Sequence, residues 1–355
     1  MNTLTPGPNV GTTAIVRVLV VDDSAYVRKM VTQMLSRSPF VEVVATAHDG
    51  AEALELAQEL QPDVITCDLN MPEMGGVRFV QEQMARRAIP IVIMSIANRA
   101  GDDVLAALDA GAIDFVQKPT ALASERLLDV ADELVEKVKA AARASVRRAP
   151  SAEQPPLKVP ALRADATSVD IVVIGISTGG PQGLKSLIPR LPADFPVPVA
   201  IVLHMPIGYT EMYAAKLNEL CALTVTEAHE GDEVVRGRVL LAPAGRHLTF
   251  RRADTRVVAH LDLRPLDTPH RPAVDMLFQS AADVFGARAL GVVMTGMGSD
   301  GREGAAWIKA RGGRILTEAE ESCVVYGMPR SVVEAGLSDC SVPLDYMAAA
   351  ILERL

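Results

Sequence analysis

Two groups of side chains have the types and spacing that chemistry requires. The first is acidic: one β-branched run ends in Asp22-Asp23, another ends at Asp68, a third ends at Ser95, and a fourth leads into Lys118-Pro119. If these runs are strands of one open parallel sheet, their carboxyl ends share an edge, and the ends of strands one and three are neighbours there. Three carboxylates meeting at one point repel unless a cation joins them, and an all-oxygen set with room for water suits Mg²⁺. With a hydroxyl and an ammonium beside it, the cluster has what a phosphoryl acceptor needs: a carboxylate nucleophile and positive charge for the equatorial oxygens. There is no P-loop to hold a nucleotide, so the donor is another phosphoprotein or a small phosphodonor. Singly, each residue has an ordinary reading as a helix cap or a solvated charge. Five on one sheet edge outweigh it.

The second group is a Ser, a His and an Asp. In IVVIGISTGGP (171–181) an apolar run passes through a G-x-S-x-G turn into a helix opened by Pro181. That pattern exposes the Ser177 hydroxyl on a sharp turn, beside backbone N–H groups able to hold an oxyanion. His204 ends the run AIVLH, and Asp300 lies in TGMGSDG (295–301) after another apolar run. A serine is a weak nucleophile unless an imidazole takes its proton, and the imidazole needs a carboxylate to fix its tautomer. The order Ser, His, Asp differs from the Ser, Asp/Glu, His order of α/β-hydrolases, so this is not that fold. Two rival readings stand beside the triad. His48, His229, His247, His260 and His270 offer other histidines, and Gly296 to Gly301 satisfies G-x-G-x-x-G with Glu318, Glu320 and Glu321 about 20 residues on, as a dinucleotide site would. Against the dinucleotide reading, Asp300 would set an anion against the pyrophosphate, and the fingerprint comes late in the chain instead of opening the sheet.

The elements that must position these groups are legible as alternation. Short β-branched runs alternate with helically spaced segments from residue 15 to about 143, five β/α repeats that predict a doubly wound parallel sheet. Residues 141–168, with prolines at 150, 155, 156 and 160, read as an extended linker. A second α/β series follows, with strands expected at Val169–Ile176, Val199–His204, Val239–Ala242, Leu290–Thr295 and Arg314–Thr317, a β-rich insertion over Leu223–Leu263 and a last helix over Met347–Leu355. The expected organisation is a tail (1–14), a first domain (15–140), the linker (141–168) and a second domain (169–355), both domains α/β and the second with a mostly parallel sheet.

Composition narrows the function classes. The 355 residues include 35 Lys and Arg against 44 Asp and Glu, a net charge of −9 that draws the chain to neither nucleic acid nor an anionic membrane. Aromatic content of 4% argues against base stacking, and no basic recognition helix follows the linker. Four cysteines without C-x-x-C spacing suit a reducing cytosol, and no signal peptide or 18-residue apolar stretch is present, so a cytoplasmic protein without membrane insertion is expected.

VLVVDDSAYVR (18–28), DVITCDLNMPEMGG (63–76), PIVIMS (90–95) and GAIDFVQKP (111–119) together resemble a response-regulator receiver domain. The resemblance implies a flavodoxin-like fold, with Asp68 as phosphoacceptor and Asp22, Asp23, Asp68 and the Asn70 carbonyl as Mg²⁺ ligands. It also implies Ser95 and Lys118 as sensors of the phosphoryl group and a histidine kinase as donor. Gly75-Gly76 departs from the usual Asp-Gly, which predicts altered loop stability and not lost phosphorylation. The second half, through IGISTGGP, VLHMP (202–206), EAHEGDEVVRGRVLLAPAGRHL (227–248), HRPAVDMLF (270–278), TGMGSDG and VYGMPR (325–330), is similar to the catalytic domain of the chemotaxis protein-glutamate methylesterases, the CheB family. That similarity implies Ser177, His204 and Asp300 as a triad, Thr178 beside the nucleophile and the Met297 N–H at the oxyanion. It implies demethylation of glutamate esters on chemoreceptor cytoplasmic helices, and deamidation of receptor glutamines, with no cofactor for the hydrolysis. Ile176 stands where the family more often has a small residue. A non-enzymatic partner-binding module and a receiver-controlled NAD enzyme are the readings from other classes.

Overall fold

The computed structural model describes residues 15–95, 101–118, 124–144 and 169–355. The expected tail, all but the first residues of the expected linker, and Pro119 lie outside them. The first unit alternates β1 (Val16–Val21), α1 (Ala25–Leu35), β2 (Val41–Ala47), α2 (Gly50–Leu60), β3 (Val64–Asp68), α3 (Gly76–Arg86), β4 (Ile91–Ser95), α4 (Gly101–Asp109), β5 (Asp114–Gln117) and α5 (Ser124–Arg143). Its strands pair in parallel in the order β2-β1-β3-β4-β5. Helices cover both faces, so β3 and β4 are buried at every residue, which is why they read as continuous apolar runs. Local chemistry starts the helices: the Asp49 carboxylate accepts the Ala51 and Glu52 N–H groups at 2.8 and 2.9 Å and opens α2. α5 runs to Arg143, where the β/α alternation was expected to end, because Ala, Lys and Arg are strong helix formers and Val138 and Ala141 still bury.

The second unit contains β6 (Ile171–Ile176), α6 (Gly180–Leu187), β7 (Val199–Leu203), α7 (Thr210–Glu219), β8 (Thr224–Glu227), β9 (Arg238–Leu241), β10 (His247–Ala253) and β11 (Arg256–Asp262). It continues with α8 (Val274–Phe285), β12 (Ala289–Val293), α9 (Arg302–Ala310), β13 (Arg314–Glu318), α10 (Met328–Glu334), β14 (Cys340–Val342) and α11 (Leu344–Leu352). Seven strands pair in parallel in the order β14-β13-β12-β6-β7-β9-β8, and β10 with β11 forms a separate antiparallel hairpin. The β-rich stretch is thus divided: only its second half is an inserted hairpin, while β8 and β9 extend the main sheet. β8, β14 and α10 are too short for a periodic pattern, and Pro329 inside the first turn of α10 masks a helix that its N-terminal position tolerates. α11 starts and ends three residues earlier than expected, since its buried face, Met347, Ala348 and Ile351, begins one turn in.

In this sheet β6 is central. The chain adds β7 on one side and later returns to add β12 on the other, which makes the carboxyl end of β6 the topological switch point. Ile174 and Ile201, fully buried on adjacent strands, help set that register, at about 1.5–3 kcal/mol for each such side chain.

The two units meet along α4 and β5. A single apolar cluster runs from Val104, Leu105 and Leu108 of α4 to Leu184 of α6 and Tyr213 and Leu217 of α7. Asp109 forms an ion pair with Lys185, the Gln182 amide donates to the Leu108 carbonyl, and the rings of Phe115 and Tyr209 lie 4.9 Å apart. Among the described residues, no helix is long and apolar enough to cross a membrane.

Candidate active site

Ser177 follows Ile176 at the end of β6, and His204 follows Leu203 at the end of β7. Ile176 and Leu203 are register partners, and the His204 N–H donates to the Ile176 carbonyl at 3.1 Å. The two residues therefore leave adjacent strands, about 4.8 Å apart, side by side. Gly179 takes φ 77°, the left-handed conformation that turns the chain sharply into α6.

The His204 ring is held from one side. Its Nε2 lies 2.8 Å from Asp300 Oδ2, and its Nδ1 is buried with no hydrogen-bond partner among the described residues. Asp300 sits seven residues beyond β12, in the loop before α9, and is steadied by a helix end. The Val274 and Asp275 N–H groups at the start of α8 donate to its two oxygens at 2.8 and 2.9 Å. Burial alone would raise the Asp300 carboxyl, but the His204 ring and these N–H groups hold it below the usual carboxylate range. Asp275 reciprocates by accepting the Gly301 and Gly304 N–H groups at 2.9 and 2.7 Å, so each acid caps the helix that the other leads into. Burial, with the Asp300 charge adding to it, raises Asp275.

Thr178 is buried, and its carbonyl accepts the Thr295 hydroxyl at 3.0 Å. Thr295 Oγ1 in turn accepts the Val325 N–H at 2.9 Å, and the Thr295 N–H donates to the buried Glu318 carboxylate at 2.9 Å. One threonine thus ties together the serine turn, the Asp300 loop and the loop before α10. Gly296 permits the closeness: a Cβ there would lie 2.4 Å from Met328 Sδ and 2.8 Å from Ser177 Cβ. Of the G-x-G-x-x-G glycines, Gly296 packs against the serine, Gly301 faces Val274 and Val293, and Gly298 takes a left-handed turn with open space around it. Met297 lies on the same loop, half-buried, and lines a cleft of about 980 Å³ that runs between this loop and α5, bounded also by Tyr326, Lys139 and Arg143.

At the other sheet edge, Asp22, Asp23 and Asp68 bring carboxylate oxygens within 4.8 Å of one another. Lys118 Nζ joins two of them, 2.6 Å from Asp22 and 2.9 Å from Asp68, all three side chains being buried. Burial raises the Asp22 carboxyl despite that ammonium. The Lys118 N–H donates to the Ser95 carbonyl at 2.7 Å, and Ser95 is itself buried, while Asn70 is exposed two residues past Asp68. The donor set is all oxygen and opens to solvent through Asp23, which fits a hard divalent cation that keeps part of its water.

Comparison with known proteins gives this geometry a lineage. Residues 172–351 match the CheB methylesterase family model, and residues 18–132 match the response regulator receiver domain model. The chain belongs to the CheB methylesterase family. It is 49% identical over 337 residues to protein-glutamate methylesterase/protein-glutamine glutaminase 5 of Myxococcus xanthus, covering 95% of this chain and 97% of that protein. It is 43% identical over 345 residues to the protein-glutamate methylesterase/protein-glutamine glutaminase of Geobacillus kaustophilus, covering 96% and 99%. The crystal structure of the Thermotoga maritima CheB methylesterase catalytic domain aligns with a TM-score of 0.52 at 41% identity, over 53% of this chain and 99% of that one.

Both departures of this CheB-family chain have a structural account. Gly75 is the N-cap of α3 and offers no side chain to accept the helix's first N–H groups, so the missing acid is a missing cap. Ile176 packs against Gly180 and Gly183, whose absent side chains leave room for it. Sequence reading misses Asp275 and Thr295, which carry only ordinary capping and core signals. Glu318, one of the acids of the dinucleotide alternative, instead accepts the Thr295 N–H. His270, one of five rival histidines, stacks its ring on His204 at 4.1 Å.

Proposed function

We propose that this CheB-family enzyme hydrolyses glutamate methyl esters on the cytoplasmic helices of chemoreceptors, releasing methanol, and that phosphorylation of Asp68 controls the rate. The observation that carries the proposal is the divided engagement of His204. One ring nitrogen is fixed by Asp300, and the other is buried, unpartnered and on the strand beside Ser177.

With Nε2–H donated to Asp300, Nδ1 is the basic nitrogen that takes the Ser177 proton as Oγ attacks the ester carbonyl. Negative charge then grows on the carbonyl oxygen. The Thr178 and Met297 N–H groups are the candidate donors, and among the described residues neither makes a backbone hydrogen bond. His204 returns the proton to the departing methoxide, and water releases the acyl group by the same steps reversed in role. An amide differs only in needing its nitrogen protonated to leave, so the same groups serve for a receptor glutamine.

Contacts between the units support the regulatory part. α4 packs on α6 and α7, the two helices that follow the Ser177 and His204 strands, and the Phe115 ring on β5 lies 4.9 Å from that of Tyr209 at the start of α7. The unphosphorylated receiver thereby restricts the cleft, and a phosphoryl group on Asp68 competes for Lys118 and loosens that packing. Asp22, Asp23, Asp68 and the Asn70 carbonyl would hold Mg²⁺, whose charge would offset that of the phosphoryl oxygens. A histidine kinase is the proposed donor.

The experiment is methanol release from methylated receptor by the wild type, Ser177→Ala and Asp68→Asn, with and without a small phosphodonor. Ser177→Ala is expected to abolish release. Asp68→Asn is expected to keep the basal rate and lose stimulation. Undiminished release by Ser177→Ala ends the esterase reading.

A further inference from the structure

The loop after β7 and the segment before α8 meet beside His204. Ile207 lies across Gly245, where a Cβ would sit 3.1 Å from its Cδ1. The Gly245 N–H donates to the Arg271 carbonyl at 2.9 Å, and Arg271 Nη2 donates to the Leu266 carbonyl at 2.9 Å. His270, the residue before Arg271, is the ring stacked on His204. Ile207, Leu266 and Arg271 therefore form one continuous ledge at the catalytic histidine.

This ledge is open even with the receiver packed in place. Ile207 and Leu266 are 69% and 68% exposed, high values for large apolar side chains. Arg271 is half-buried, forms no ion pair with any described carboxylate, and leaves its Nε buried without a hydrogen-bond partner. The nearby Arg264 is by contrast paired with Asp262 at 3.4 Å. A guanidinium presents its N–H donors as a planar fork matched to a carboxylate, and it holds that charge at every working pH.

We infer that Arg271 is a specificity-determining residue that grips a carboxylate of the substrate protein one helical turn from the ester, while Ile207 and Leu266 take the apolar flank of the same helix. The inference rests on the esterase reading and deepens it. Hydrolysis converts neutral esters into carboxylates, so a segment carrying several such sites surrounds each remaining ester with negative charge. On a helix, residues three or four apart share a face, about 5–6 Å between Cβ atoms, so an acid one turn away is presented on the same side of the helix as the ester.

The test uses the full chain, activated by a small phosphodonor, and two receptor fragments methylated at a single glutamate, with glutamate or alanine four residues away. Wild type is expected to favour the glutamate fragment roughly tenfold in kcat/KM, mainly through KM, the scale of one charge-assisted hydrogen bond. Arg271→Gln is expected to bring the two fragments within about twofold, and Arg271→Lys, which keeps charge without the fork, to fall between. Equal rates of wild type on both fragments, or an undiminished preference in Arg271→Gln, overturns the inference while leaving the esterase reading intact. Ser177→Ala hydrolysing either fragment at the wild-type rate would sink that reading instead.

Discussion

The imidazole rings of His204 and His270 lie stacked, 4.1 Å between centroids and 25° between planes. His270 covers one face of the ring that Asp300 holds by its edge, so the imidazole is fixed both in plane and in rotation. Burial of the inner face of His270, with the neighbouring His204, pushes its pKa from 6.5 down to about 4, although its outer edge is exposed. The folded state thus resists protonating His270. Its contribution to stability is full above about pH 6.5 and falls as pH drops toward 4. Only as pH nears 4 does positive charge form on His270 against the His204 ring. His270→Phe, which keeps the stack without the charge, is expected to retain most activity at pH 7.5 and to lose less than wild type between pH 5 and 4. His270→Ala is expected to lose roughly tenfold in kcat at pH 7.5 by freeing the ring. A pH–rate series on all three proteins decides.

Asp300 is expected to matter through its charge more than its shape. Asp300→Asn can still accept one N–H of α8, but it presents His204 with the wrong partner and favours the wrong tautomer. A loss of about 10³ to 10⁴ in kcat is expected, with KM little changed. Because His204 and the α8 N–H groups depress the Asp300 pKa, the stability it contributes is present above the ordinary carboxylate range and is lost as pH falls through its depressed value. Acid unfolding of Asp300→Asn should accordingly lack part of the wild-type steepness at the most acidic end.

At the receiver edge, Lys118 is the counter-charge for two buried carboxylates. Lys118→Met leaves Asp22 and Asp68 facing one another with nothing between them. Removing one member of a buried ionic group costs about 3–5 kcal/mol. The receiver's unfolding midpoint in urea should drop accordingly. Acidification should restore part of it, because burial already raises Asp22 and loss of the ammonium removes the charge that opposes that rise. A midpoint unchanged at neutral pH would show that the ammonium is not needed there.

The Asp109–Lys185 ion pair joins α4 to α6. Lys185 is mostly buried and Asp109 about half exposed, so the native pair contributes little, about 0–1 kcal/mol, but two like charges at that point are costly. Lys185→Glu is expected to raise unphosphorylated methanol release about threefold. Asp109→Lys combined with Lys185→Glu should bring the rate back toward wild type. A truncated chain lacking residues 1–140 should not respond to Lys185→Glu at all.

Much of the fold was legible because its strands are buried on both faces. β6, β7 and β13 lie within two residues of the expected strands Val169–Ile176, Val199–His204 and Arg314–Thr317. β14, three residues long, and α10, with proline in its first turn, carry no periodic signal that could separate them from loop. The candidate site divides in the same way. Ser177 and His204 could be found because each directly follows a strongly apolar strand, and parallel pairing then makes them neighbours. Asp275 could not: it is an unremarkable acid in the first turn of a helix until α8 and α9 pack and bring its carboxylate to the Gly301 and Gly304 N–H groups.

Sequence alone determined the order of the strands' chemistry, since a residue placed just past a buried strand must emerge at the sheet's carboxyl edge whatever surrounds it. It determined the division into an acid-lined receiver domain and a serine-bearing hydrolase domain for the same reason. Which of the five other histidines would meet His204, and which acids would share the N–H groups of two helix ends, was left to tertiary packing. Those contacts join segments some 25 to 70 residues apart, and such distances close only when helices cross, a geometry set by the packing of many side chains at once and written in no single motif.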